Sequence, residues 1–245
     1  MSGPWRVLDG PAGALRAYTA GPASGPVLFI CTELPLTAGG APDAGRTHPS
    51  LADRLAQESE WRVVTATLRG AGGSAGDFSP AGWLEDLAFL VDHEIGPHPR
   101  YWVAGFGFGG AVGLQVVADD PRARGAACLG APVDFSAWTA DAAGFVARCR
   151  RSGVVATPGF PADPVAWAAE FDQVVPLAAA RRLEDRSLLV VHGADDYQVL
   201  PASARDLAEA ATGPVDLRLV PGAGHWLRAD PRVVATLLGW LERQR

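Results

Sequence analysis

Short apolar runs alternate with amphipathic stretches along the 245 residues, and the two periodicities separate strands from helices. Residues 5–8 and 15–19, divided by Asp9-Gly10 and Gly13, have the pattern of an opening β-hairpin. Residues 27–32 are continuously apolar, as expected of a strand buried on both faces. Residues 51–59 repeat apolar positions at helical spacing, with Ser50 as the expected N-cap. Residues 62–68 return to a strand pattern. Residues 80–95 form a helix pattern with Trp83, Leu84, Leu87, Leu90 and Val91 on one side. Strand 101–106 turns into helix 109–118, and strands follow at 125–130, 187–191 and 215–220. Helices are predicted at 201–211 and 231–243, each with Pro in its first turn.

This β–α alternation predicts an α/β fold: a mostly parallel central sheet with helices on both faces. One interval breaks the rhythm. Between Pro132 and Arg186 no strand pattern occurs, only helix-like pieces near 141–151 and 164–171. An insertion after a central strand, at the C-terminal edge of the sheet, lies over the ligand crevice as a lid. Length alone does not choose between one domain and two. No linker or internal repeat marks a second unit, so the expectation is one domain over 1–245 with a short helical lid at 132–186.

Composition narrows the chemistry. The net charge is −6, which argues against nucleic acid as a partner. The basic runs at 148–151 and 181–182 are short and read as solvated faces. No apolar stretch approaches the length of a membrane helix, and the N-terminus has neither a basic nor an apolar signal region. The expected location is cytoplasmic. Three cysteines, Cys31, Cys128 and Cys149, match no zinc spacing. The first two fall in apolar runs and read as small buried hydrophobes. The chain has no lysine, which excludes a Schiff-base enzyme, a lysine-anchored pyridoxal phosphate and a Walker A loop.

The turn Gly105-Phe106-Gly107-Phe108-Gly109-Gly110 joins a strand to a helix and admits three readings. Gly105, Gly107 and Gly110 match a G-x-G-x-x-G dinucleotide fingerprint, with Asp134 further on as its acidic partner. That fingerprint belongs to the first βα unit, however, and here earlier units precede it. The blandest account is close packing of a helix on a strand, which small residues allow. The third reading is a G-x-S-x-G nucleophile elbow whose middle position is Gly107, without a side chain to attack. Two residues downstream favour it. Asp196 follows the strand at 187–191, and His225 follows the strand at 215–220, in the order nucleophile, acid, base. Asp195 is the rival acid.

On these motifs the chain resembles the α/β-hydrolase superfamily of serine esterases and peptidases over nearly its full length. Arg69-Gly70-Ala71-Gly72-Gly73-Ser74 is similar to the family's R-G-x-G-x-S loop, and residues 129–138 are similar to the strand leading into its lid. His192-Gly193-Ala194-Asp195-Asp196 resembles H-G-x-x-D, which places the acid at Asp196. The resemblance implies that the backbone N–H groups of Phe108 and Leu34 are the oxyanion donors. Two departures stand out. Gly107 occupies the nucleophile position. Thr32-Glu33-Leu34-Pro35 replaces a His-Gly turn, so the Glu33 carboxylate opposes an oxyanion unless it points away.

The expected function is therefore a hydrolase-like pocket for a small, partly apolar molecule, with ordinary esterase or peptidase activity lost or very weak. Glu33, Phe106, Phe108, Trp138 and Trp226 are the expected lining. One alternative is a hydrolase or lyase using His225–Asp196 as a general base without a covalent intermediate. Another is a non-enzymatic ligand sensor or protein-interaction subunit. Ser74 and Thr32 are the nearby hydroxyls considered as substitute nucleophiles. No cofactor, metal or membrane partner is expected, and the chain is expected to be a monomer or homodimer.

Overall fold

The computed structural model describes residues 5–95 and 100–244. The first four residues, part of the segment read above for a secretion signal, lie outside this range. Among the described residues eight strands form one sheet in the order β1-β2-β4-β3-β5-β6-β7-β8. Strands β1 (Trp5–Gly10) and β2 (Gly13–Ala20) make the expected hairpin, and β2 runs antiparallel to β4 (Arg62–Thr67). All other neighbours are parallel: β3 (Val27–Cys31), β5 (Tyr101–Phe106), β6 (Ala123–Leu129), β7 (Ser187–Gly193) and β8 (Val215–Val220).

The order places β3 between β4 and β5, so the chain winds outward to β4 and then crosses back to β5. The loops leaving β3 and β5 consequently part in opposite directions and open a crevice at the carboxyl ends of these strands. Residues 32–34 and Gly107 are the first residues of those two loops.

Alternation along the strands divides the core into two layers. Val27, Phe29, Cys31, Tyr101 and Val103 face helices α2 (Pro80–Ile95) and α3 (Phe108–Asp119). Leu28, Ile30, Trp102, Ala104 and Phe106 face α1 (His48–Glu58) and α9 (Pro231–Glu242) on the other side. The strands that read as continuously apolar do so because both faces are covered.

Helix α1 begins earlier than its pattern suggests. Pro49 sits in its first turn and Thr47 is the cap residue, so Ser50 lies inside the helix. Thr47 makes no cap bond; its Oγ1 accepts from Arg228 Nε at 2.7 Å instead. Helix α8 spans Ala202–Ala210, and Pro201 is its cap rather than part of its first turn.

The interval 132–186 contains no strand. It carries α4 (Ser136–Thr139), α5 (Ala142–Ser152), α6 (Pro164–Ala168) and α7 (Pro176–Arg181), with a 3-10 turn at Ala169–Gln173. Helices α4 and α7 are too short to leave a periodic signature. Aromatic rings hold the segment down: Phe108, at the start of α3, lies 5.4 Å from Phe135 and 5.5 Å from Phe171, and Trp138 stacks on Phe145 at 5.0 Å. Among the described residues no helix is long and apolar enough to cross a membrane.

Candidate functional site

Gly107 closes β5 and caps α3 with φ +52° and ψ −129°, a backbone shape that residues bearing a Cβ adopt only under strain. Its N–H donates to Leu129 O and its C=O accepts from Gly110 N, both at 2.9 Å. The turn is thus fixed from both sides. A Cβ built on Gly107 would lie 3.7 Å from Nε2 of His225 and 3.3 Å from Cβ of Glu33.

His225 and Asp196 come from the loops after β8 and β7. Nδ1 of His225 lies 2.8 Å from Oδ2 of Asp196. The other carboxylate oxygen accepts from the N–H groups of Gln198 and Val199 at 2.9 and 3.1 Å. Asp196 is buried, whereas Asp195 is exposed and joins the loops through its N–H to Ala223 O at 3.0 Å. The loops touch because Gly193 has no side chain: a Cβ there would meet the carbonyl oxygens of Ala223 and Gly224 at 2.3 and 2.4 Å.

His192 braces the acid from behind. Burial lowers its pKa, so its ring is neutral and Nε2–H donates to Val199 O at 2.9 Å. Oδ2 of Asp196 thus has two imidazoles beside it, Nδ1 of His225 at 2.8 Å and Nε2 of His192 at 3.4 Å. With Nδ1–H directed at the carboxylate, His225 presents the Nε2 lone pair on the side of Gly107.

Glu33 is not free to act on this space. Its Oε1 accepts from Arg228 Nη1, and its Oε2 lies 3.6 Å from Nε2 of His48. Arg228 also donates to Thr47 and covers the Trp226 ring, with Cζ 5.1 Å from the ring centroid. One guanidinium so ties the loop after β3, the start of α1 and the loop that carries His225. His48 is buried against Phe106, and burial lowers its pKa to about 4 despite the nearby Glu33 carboxylate.

A pocket of about 290 Å³ opens on Gly107 and His225. Its lining includes Leu34 and Phe108, and the Phe108 N–H at the first position of α3 has no partner within the helix. Glu33, Trp138 and Trp226 also line it. Phe106 does not: its side chain points to the opposite sheet face and packs edge-on against His48, 5.7 Å between ring centroids. It alternates with Gly105 and Gly107 across the strand end and so faces away. Leu36, Thr37, Pro132, Gln198 and Val199 line it as well, without a signal in the sequence pattern, and so does the exposed Arg148 from the basic run read as a solvated face.

The remaining chemical residues are accounted for structurally. Ser74 Oγ donates to Thr67 O at 2.5 Å and accepts from Arg16 N at 2.9 Å, closing the glycine-rich loop; it is no substitute nucleophile. Thr32 is buried and does not line the pocket. Asp134 accepts from Ser136 N and Oγ at 2.9 and 2.6 Å, the geometry of a turn residue. Cys128 and Cys149 are buried with thiol pKa values pushed up to about 12, and burial also raises that of Cys31. Among the described residues no group of three or more His, Cys, Asp or Glu side chains could hold a metal ion.

Comparison with known proteins agrees with the strand order. Residues 36–237 match the model of a family described as alpha/beta hydrolase. Among solved structures, a putative alpha/beta hydrolase of unknown function from Agrobacterium tumefaciens is 21% identical, with 98% of this chain and 96% of that one covered and a TM-score of 0.69. A serine hydrolase without a lid from Xanthomonas campestris is 22% identical, covering 99% and 93%, with a TM-score of 0.63. DcsB, in complex with its substrate analogue, is 15% identical over 98% of each chain at a TM-score of 0.72. No curated protein matches.

Proposed function

Since the chain belongs to the alpha/beta hydrolase family, we propose that it binds a small, partly apolar molecule beside Gly107 and His225 without forming the acyl-serine intermediate of an esterase or peptidase. Gly107 is read as the nucleophile position with serine replaced, and Leu34 and Phe108 as the donors that would face an oxyanion. The observation that carries this reading is one distance at the turn. A side chain on Gly107 would begin 3.7 Å from His225 Nε2, within reach of a base for which the described residues supply no hydroxyl or thiol in the pocket beyond Thr37. Removing a serine nucleophile typically leaves only about 10³–10⁴-fold catalysis over water. Ordinary esterase or peptidase activity is accordingly lost or very weak. Residues 132–186 are read as the lid of this pocket, reaching it through Trp138 and Arg148.

A second reading is favoured by the order around Asp196, whose two oxygens are committed to His225 and two backbone N–H groups. A base held this well can take a proton from water or from the bound molecule directly. In that case the chain is an enzyme of single-displacement type.

Both readings exclude a covalent adduct. 4-Nitrophenyl acetate incubated with the native protein should give no burst of nitrophenol and no acylated protein in mass spectra. Slow turnover that vanishes in His225→Ala selects the general-base reading; binding without turnover selects the first. An acyl adduct on the native chain would defeat both.

A further inference from the structure

We propose, building on that reading of the pocket, that its ligand is an anion: a small carboxylate with a flat apolar body, its acid group paired with Arg148 and its opposite end against Gly107 and His225. Three ionisable side chains line the pocket, Glu33, Arg148 and His225. The Glu33 charge is already matched by Arg228, and His225 is committed through Nδ1 to Asp196. Arg148 is different: it is exposed at the pocket wall, and among the described residues its guanidinium has no hydrogen-bond or ion-pair partner but water.

The local sequence explains why. One turn away along α5, an arginine can pair with acids three or four positions distant. Around Arg148 those positions are Gly144, Phe145, Arg151 and Ser152, none of them acidic. The acid of this segment, Asp141, is used as the cap of α5 and accepts from Gly144 N at 2.9 Å. Its neighbour Arg150 is engaged with the carbonyls of Thr157 and Phe160. Arg148 thus brings an unmatched positive charge to the wall of a pocket in a chain of net charge −6.

The rest of the pocket defines the ligand's body. Trp138 and Trp226 supply flat apolar faces, Leu36 and Pro132 add aliphatic surface, and about 290 Å³ places the cavity at the small end for ligand sites. A guanidinium offers two parallel N–H donors, which match the two oxygens of a carboxylate. The amide of the same shape cannot accept at both positions and carries no charge.

The test is calorimetric titration of the full chain with phenylacetate and, separately, phenylacetamide. Phenylacetate should bind about tenfold tighter. The preference should vanish in Arg148→Ala and be partly retained in Arg148→Lys, while affinity for phenylacetamide stays unchanged. Equal binding of acid and amide, a preference that survives Arg148→Ala, or no binding of either at millimolar concentration would overturn the proposal. Its failure is separable from that of the functional reading. An acyl adduct on the native protein would sink the non-covalent site and leave an Arg148-dependent acid preference standing. Absence of that preference, with no adduct, would do the reverse.

Discussion

Restoring a hydroxyl at Gly107 is the most exacting perturbation of this site. Serine there must adopt φ +52° and ψ −129°, at a cost on the order of 1–3 kcal/mol. Its Cβ would also sit 3.3 Å from Cβ of Glu33, close enough that the loop after β3 must yield by a few tenths of an ångström. The gain is chemical. From a Cβ 3.7 Å from His225 Nε2, a C–O bond can swing the oxygen to about 2.7–3.0 Å from that nitrogen, within hydrogen-bond range. Phe108, whose N–H is the first of α3, lines the same pocket. Gly107→Ser should therefore lower the midpoint of chemical denaturation and at the same time acquire reactivity toward a fluorophosphonate probe that leaves the native protein unlabelled. Combining it with Glu33→Gly removes the crowding Cβ and the carboxylate together, and should label faster. A folded double variant that stays unlabelled would refute the claim that base and turn are otherwise in working register. Strong labelling of the native chain would refute the claim that it lacks a nucleophile.

Two further outcomes follow from the polar cluster beside the turn. His48 is held neutral, its pKa lowered by burial from 6.5 to about 4, so the unfolded chain binds the proton more readily than the folded one. This contribution is complete above pH 6.5 and is lost as pH falls toward 4, up to about 3 kcal/mol; denaturation curves of His48→Gln should be flatter across that window, and an unchanged slope would contradict the assignment. Arg228→Ala strands the Glu33 carboxylate, whose side chain is 17% exposed. Between the values for surface and buried pairs, the loss should be about 1–2 kcal/mol, and Glu33→Gln should recover part of it; additive losses would show that the pair is not coupled.

Much of this fold could be read along the chain because parallel strands covered on both faces leave uninterrupted apolar runs. Residues 215–220 and 80–95 coincide with β8 and α2. What escaped were short elements. Helices α4 and α7, of four and six residues, are under two turns long and cannot repeat a hydrophobic pattern; Trp138 of α4 is held by neighbouring rings, and α7 packs on α3 and α8. Residue order likewise pointed to Asp196 and His225, since both stand just past strand ends that a parallel sheet gathers at one edge. Phe106 misled for a local reason. A strand alternates its side chains, so the residue beside a crevice-facing glycine faces the opposite layer.

Glu33 marks the point where linear reading stopped. As a residue in a loop it was an uncompensated negative charge next to the place where an oxyanion would form. Its partner Arg228 lies 195 positions away, and no periodicity links a position after β3 to one after β8. Only the sheet order, which sets the outgoing loops of β3, β5 and the far strands around one crevice, brings the two together. The consequence reaches the chemistry. Glu33 paired with Arg228 is a strut between the turn and the histidine loop, which is why the proposed acid preference is assigned to Arg148 and not set against Glu33. Among the described residues His225 and Arg148 line the same small volume, so the proposed non-covalent site and the proposed acid preference are tests of one pocket.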